Sequence, residues 1–246
     1  MAINGEDKLK KLEEIDRTLE EIKGEVTGSD KPLFIELIGT PKSGKTTLKN
    51  AIQNAFDKKG IPVITRRETA EYNPIPKSSE HYNFWMILEL MKNISEDFAN
   101  AKGKVVIYDR GLIDRIPWMK SDISQGKMSQ EDYGRIIEMY QSNYLKGYKP
   151  ITQVFFTSPQ LSILRKGSEG RFVNNRTLIT YNSILNQELD TVRNMSSRTN
   201  ITVTDQYQGR IKDFLIDQMA EISRDLKGEI DKKVRVKTAD IDEPNL

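Results

Sequence analysis

The eight residues Gly39-Thr40-Pro41-Lys42-Ser43-Gly44-Lys45-Thr46 fit the spacing G-x-x-x-x-G-K-[ST], between the apolar run Leu33-Phe34-Ile35-Glu36-Leu37-Ile38 and a helix-forming segment. No other feature narrows the fold so far. Such a loop works only where a strand delivers it and a helix starts from it, because its glycines let the backbone curl until successive N–H groups point inward. The following helix then adds the positive end of its dipole. That concave set of donors suits the β-phosphate of a nucleotide, with Lys45 reaching the β and γ oxygens and the Thr46 hydroxyl placed for magnesium. Gly39, Lys42, Ser43, Gly44, Lys45, Thr46 and Thr47 are the candidate nucleotide-binding residues of this segment.

The rest of the chain agrees with that demand. Short β-rich runs recur at 61–65, 105–108, 151–157 and 201–204. The segments 47–59, 79–101, 129–146, 175–195 and 209–227 read as helical. Strands nearly continuous in apolar residues are those of a parallel sheet covered on both faces. The expected fold is α/β, a three-layer sandwich whose central parallel sheet has about five strands joined by right-handed crossovers.

Two ends flank this domain of residues 31–227. Apolar residues at Leu9, Leu12, Ile15, Leu19, Ile22 and Val26 recur every three or four positions, so residues 1–30 hold an amphipathic helix. Packing against its own domain is the first reading of that stripe, and a homodimer contact is the second. Residues 228–246 form a tail of mixed charge whose Val234-Arg235-Val236-Lys237 alternation suggests an added edge strand or a loose end.

Composition removes several chemistries. The 246 residues include no cysteine and one histidine, His81, so thiolate metal sites, cysteine nucleophiles and His-rich metal sites are excluded. A metal here must be hard and oxygen-bound, with magnesium first. Thirty-eight Lys and Arg against 36 Asp and Glu give +2, which favours no nucleic acid or anionic membrane as obligate partner. No apolar run reaches the roughly 18 residues of a membrane span, and a cytoplasmic protein is expected.

The loop alone leaves open whether the chain is a kinase, a switch or a motor. Neither an Asp-x-x-Gly after a strand nor an Asn-Lys-x-Asp loop is present. Instead the run Lys104-Val105-Val106-Ile107-Tyr108 ends in Asp109-Arg110-Gly111, followed by Asp114-Arg115. A carboxylate at a strand tip beside the phosphate loop can hold a magnesium-bound water, so Asp109 joins Thr46 as a metal candidate, and Arg110 can hold a phosphate or position an acceptor.

With these residues the chain resembles the thymidylate kinase and deoxynucleoside kinase superfamily of P-loop kinases over residues 33–226. Ile64-Thr65-Arg66-Arg67-Glu68 is similar to the Arg-Glu or catalytic glutamate after the second strand there. Asp109-Arg110 resembles the acidic-Arg pair after the third strand. Leu164-Arg165-Lys166-Gly167-Ser168-Glu169-Gly170-Arg171-Phe172 is similar to the arginine-bearing lid that closes over the donor phosphates, near 165–176. The resemblance implies catalytic roles for Lys45, Glu68, Asp109, Arg110 and Arg171, a nucleotide contact from Arg165, and ATP with Mg2+. It also implies an acceptor pocket along the helix bearing Tyr82, Phe84, Trp85 and Met86. Thr69-Ala70-Glu71 replaces the Pro-Gly-Gly of thymidylate kinases, and Gly111 stands where the family has Ser or Tyr, which argues against thymidine or thymidylate.

The expected function is ATP- and magnesium-dependent phosphoryl transfer to a nucleoside, nucleotide or similar small acceptor. A kinase acting on a nucleotide within a polynucleotide and a non-catalytic ATP-binding module are the alternatives.

Overall fold

The computed structural model describes residues 4–142, 147–164 and 175–239. Five strands, β1 (Leu33–Gly39), β2 (Val63–Arg66), β3 (Val105–Asp109), β4 (Ile151–Phe156) and β5 (Arg198–Val203), form one sheet in the order β2-β3-β1-β4-β5. Every pairing in it is parallel. The loop that follows β1 therefore leaves the sheet between the ends of β3 and β4, where consecutive connections diverge and open a crevice.

Period-two alternation along β1 sorts its side chains between the two faces. Leu33, Ile35 and Leu37 enter a core with residues of α1 (Gly5–Thr27), α2 (Lys45–Lys59) and α9 (Ile211–Ala239). Phe34 and Ile38 enter the opposite core with α3 (His81–Asn100), α4 (Arg115–Ser124), α5 (Gln130–Gln141), α7 (Asn175–Gln187) and α8 (Leu189–Met195). A short α6 (Pro159–Leu164) follows β4. The three layers of the sequence-based expectation are present, while α4 and α6 were not anticipated. Among the described residues no helix is long and apolar enough to cross a membrane.

The stripe of α1 is used inside the chain. Ile15, Leu19, Ile22 and Val26 are buried in the α2/α9 core, each contributing about 1.5–3 kcal/mol by leaving water. Leu9 and Leu12 stay exposed at the start of the helix. Lys8 pairs with Asp213, Lys11 with Asp217 and Glu21 with Lys227, a series that ascends together and shows α1 and α9 running parallel. The expected edge strand in the tail is corrected here, because α9 continues unbroken through Gly228 to Ala239. Ile230 is buried on the same core as Leu226, so the apolar face of the helix runs on past Gly228, beyond the boundary at 227 expected from the sequence.

Candidate active site

Four chain segments meet at the C-terminal ends of β1 and β3. The phosphate loop comes first, and its backbone shows why glycine opens it. Gly39 has φ 127°, and a Cβ there would lie 2.1 Å from the carbonyl oxygen of Phe155 on β4. No side chain fits. Lys42, at φ 63°, and Gly44, at φ 95° as the N-cap of α2, turn the chain into the helix.

Lys45 folds back over this loop. Its Nζ donates to the carbonyls of Gly39 at 3.0 Å and Thr40 at 2.8 Å and to the Ser43 hydroxyl at 3.1 Å. Burial, reinforced by the charge of Arg110, brings its pKa down to about 7. Thr46 Oγ1 donates to Asp109 Oδ2 at 2.7 Å, and Lys49 Nζ lies 3.5 Å from the same oxygen. Thr46 and Asp109 thus set two hard oxygen donors side by side at the head of α2. Among the described residues no cluster of three or more His, Asp or Glu forms a complete metal cage. Two protein donors suit magnesium, which keeps several waters and takes further oxygens from substrate phosphates.

Arg110 sits at φ 65°, a left-handed conformation that costs a non-glycine residue about 1–3 kcal/mol and persists only where the surroundings hold it. Its Nε is 3.2 Å from Glu68 Oε1 and its Nη1 is 3.0 Å from Asp114 Oδ2. Glu68 thus meets Arg110, although two arginines, Arg66 and Arg67, precede it directly in the chain. Arg66 turns away to Asp97, which also accepts the Tyr108 hydroxyl at 2.6 Å.

Lys42, Ser43, Gly44 and Thr47 line one side of a cleft of about 330 Å³, and Thr204, Tyr207, Gly209, Ile211 and Phe214 line the other. Along α3, Trp85 packs edge-on against Tyr72 at 5.9 Å, Met86 is buried against Arg115, and Phe84 faces outward. His81 is exposed beside Glu80.

The structure therefore gathers Gly39, Lys42, Ser43, Gly44, Lys45, Thr46, Thr47, Glu68, Asp109 and Arg110 around one crevice. Arg165 and Arg171 lie outside the described residues. Arg176 is exposed at the start of α7.

Sequence reasoning missed the two carboxylates beneath the crevice. Glu36, fully buried in mid-strand, accepts the Tyr148 hydroxyl at 2.7 Å and the Asp114 N–H at 2.9 Å. Burial raises its pKa to about 7. Asp114 is also fully buried, and Arg110 and Arg115 overcome the cost of burial and hold its pKa well below the usual carboxylate range. The signal for Glu36 was present as a single charge inside an otherwise apolar strand, which is costly unless that charge has dedicated partners.

No family model and no curated protein sequence matches this chain. Comparison with solved structures does give likenesses. The chain is similar to deoxyadenosine kinase from M. mycoides with bound dATP, at 21% identity and TM-score 0.51, over 70% of this chain and 92% of that one. It is also similar to deoxyadenosine kinase from M. mycoides with products dCMP and a flexible dCDP bound, at 20% identity and TM-score 0.54, over 80% of this chain and 100% of that one. The parallel sheet, the loop after β1 and the helices on both faces make this a P-loop fold of the deoxynucleoside kinase type.

Proposed function

We propose that the protein is a cytoplasmic kinase that transfers the terminal phosphoryl group of ATP to a hydroxyl of a nucleoside-type acceptor, with Mg2+ as cofactor. The observation that carries this reading is the Glu68–Arg110 pair, at 3.2 Å, beside a phosphate loop whose Thr46 bonds Asp109. A passive nucleotide binder has no use for a carboxylate and an arginine on the acceptor side. A transferase uses both.

Phosphoryl transfer asks a protein to align two oxygens about phosphorus and to meet spreading negative charge, so positioning and cations carry most of the work. Lys45 is the cation aimed at the donor phosphates, once it exchanges its own loop carbonyls for phosphate oxygens. The loop amides and the N-terminus of α2 hold the β-phosphate. Thr46 and Asp109 are the residues that would hold Mg2+, which would supply charge neutralisation at the donor phosphates. Glu68 orients the acceptor hydroxyl and takes its proton, while Arg110 pairs with that carboxylate and faces the transferring group. The cleft between Thr47 and Tyr207 receives the ATP base. For Arg165 and Arg171, proposed as further contacts to the donor phosphates, the support is the sequence resemblance alone.

The test incubates the protein with γ-labelled ATP, with and without EDTA, and a panel of deoxynucleosides, ribonucleosides, monophosphates and 5′-hydroxyl oligonucleotides. Label is expected in a free nucleoside, to be lost with EDTA and reduced about 10²- to 10⁴-fold in Glu68→Gln. Label only in oligonucleotides would give the polynucleotide reading, and label in no acceptor would refute transfer.

A further inference from the structure

Asp114 belongs to none of the roles above, yet it gathers more of the site than any of the residues that do. Its Oδ1 accepts the Tyr181 hydroxyl of α7 at 2.7 Å and the Gly39 N–H of the phosphate loop at 3.3 Å. Its Oδ2 accepts Arg115 Nη2 at 2.7 Å, the Trp118 indole N–H at 3.1 Å and Arg110 Nη1 at 3.0 Å. Five donors on four segments converge on one carboxylate with no solvent exposure. An ion pair in that setting is strong once formed, and removing one partner leaves a buried charge unmatched.

The two carboxylates that hold Arg110 are unequal. Glu68 keeps 22% of its side chain exposed and must turn toward an acceptor if it does the work proposed for it. Asp114 has no such freedom, because its lone pairs are committed to groups that are themselves packed. Tyr181 and Trp118 pack in a tilted arrangement with ring centres 4.7 Å apart, and the Arg110 guanidinium lies 6.0 Å from the centre of the Tyr181 ring. The left-handed backbone at Arg110 needs such an anchor beside the bond from its own N–H to the Leu37 carbonyl of β1.

We infer that Asp114 is a positioning residue for the phosphoryl transfer proposed above: it locks the Arg110 guanidinium in register with the first amide of the phosphate loop and fastens both to α7. The inference rests on that functional reading for its catalytic consequence but not for its geometry. Asn182, the next residue of α7, bonds Thr40 Oγ1 and donates to the Thr157 carbonyl at 2.9 Å, so α7 grips the loop a second time. Freed from Asp114, Arg110 would still be present and charged but displaced, and a misplacement of about 1 Å costs about 10²-fold in rate.

The experiment compares Asp114→Asn, Arg115→Met, the double variant Asp114→Asn/Arg115→Met and Tyr181→Phe with the parent. Asp114→Asn alone leaves the buried Arg115 unmatched and Arg110 with Glu68 as its remaining carboxylate, and is expected to lose stability. The double variant removes one of those charges and restores the balance, so it reports on position with the fold retained. Turnover of the double variant is expected to stay about 10²-fold below Arg115→Met, with ATP affinity by calorimetry within about threefold. Tyr181→Phe, which spares the arginine contacts, should lose no more than about fivefold. Recovery of the Arg115→Met rate by the double variant would overturn the inference and reduce Asp114 to charge balance. A readout independent of turnover is the set of Arg110 guanidinium N–H resonances, assigned with Arg110→Lys. They should be resolved in the parent and collapse by rotational averaging in the double variant, and unchanged resonances would also overturn the inference. An inactive parent would refute the kinase reading, and the resonances would still decide the role of Asp114.

Discussion

Adding one methyl group at Gly111 should do damage out of proportion to its size. Gly111 has no positive φ, so its backbone is open to any residue. At such a position Gly→Ala ordinarily stabilises by about 0.4–1 kcal/mol, through the unfolded chain. Here the new Cβ would lie 2.6 Å from both Cδ and Oε2 of Glu36 and 3.0 Å from its Cγ, where carbon atoms need about 3.5 Å. Glu36 cannot retreat without leaving Tyr148 and the Asp114 N–H. Overpacking of this kind costs about 1–3 kcal/mol, and releasing those two buried donors adds about 1–3 kcal/mol. Gly111→Ala should therefore lose about 2–5 kcal/mol, read in urea unfolding as a lower midpoint with an unchanged slope. In a Glu36→Ala background the same substitution should become neutral or stabilising, a coupling of 2 kcal/mol or more by double-mutant cycle. A loss below about 0.5 kcal/mol in the parent, or an equal loss with Glu36 removed, would refute the steric argument.

Two other outcomes follow from titration. The Glu36 carboxyl is raised from 4.5 in the open chain to about 7 when folded, so the folded state binds the extra proton and its advantage is lost as pH rises from about 4.5 through 7. Glu36→Gln should thus gain about 2.5 kcal/mol relative to the parent between pH 5 and pH 8, and parallel stability curves for the two proteins would show that Glu36 is not raised. Lys45 falls to about 7 in the free protein, whereas bound phosphates would hold it charged, so ATP affinity should weaken about fivefold from pH 7 to pH 8 with proton uptake on binding. Calorimetry in buffers of different ionisation enthalpy measures that uptake, and none at pH 8 would count against a depressed Lys45.

Gly111 also shows where the resemblance to known kinases stopped helping. The family has a larger residue at this place, and from the sequence its replacement looked like a hint about the acceptor. The structure gives a steric cause, since a buried carboxylate from β1 fills the space that a side chain would need. Residues 36 and 111 lie 75 positions apart, and nothing local to either points to the other.

What the sequence determined by itself is whatever depends on near neighbours along the chain. The phosphate loop was legible because strand, loop and helix are contiguous, and the α/β class because each strand and most helices carry their own periodicity. Asp109 and Arg110 stood out as candidates because they end a strand. Only the tertiary structure decided the order β2-β3-β1-β4-β5 and the pairing of the two chain ends through α1 and α9. It likewise assigned Glu68 to Arg110 and gathered five donors on Asp114. The alternation at 234–237 pointed locally to a strand, whereas these residues continue the helix α9, whose apolar face packs on α1 and the sheet as far as Ile230. The physical reason is common to all of these: a buried charge or an apolar stripe states that it needs a partner, but the partner's identity is settled only when packing brings distant segments to within a few ångströms.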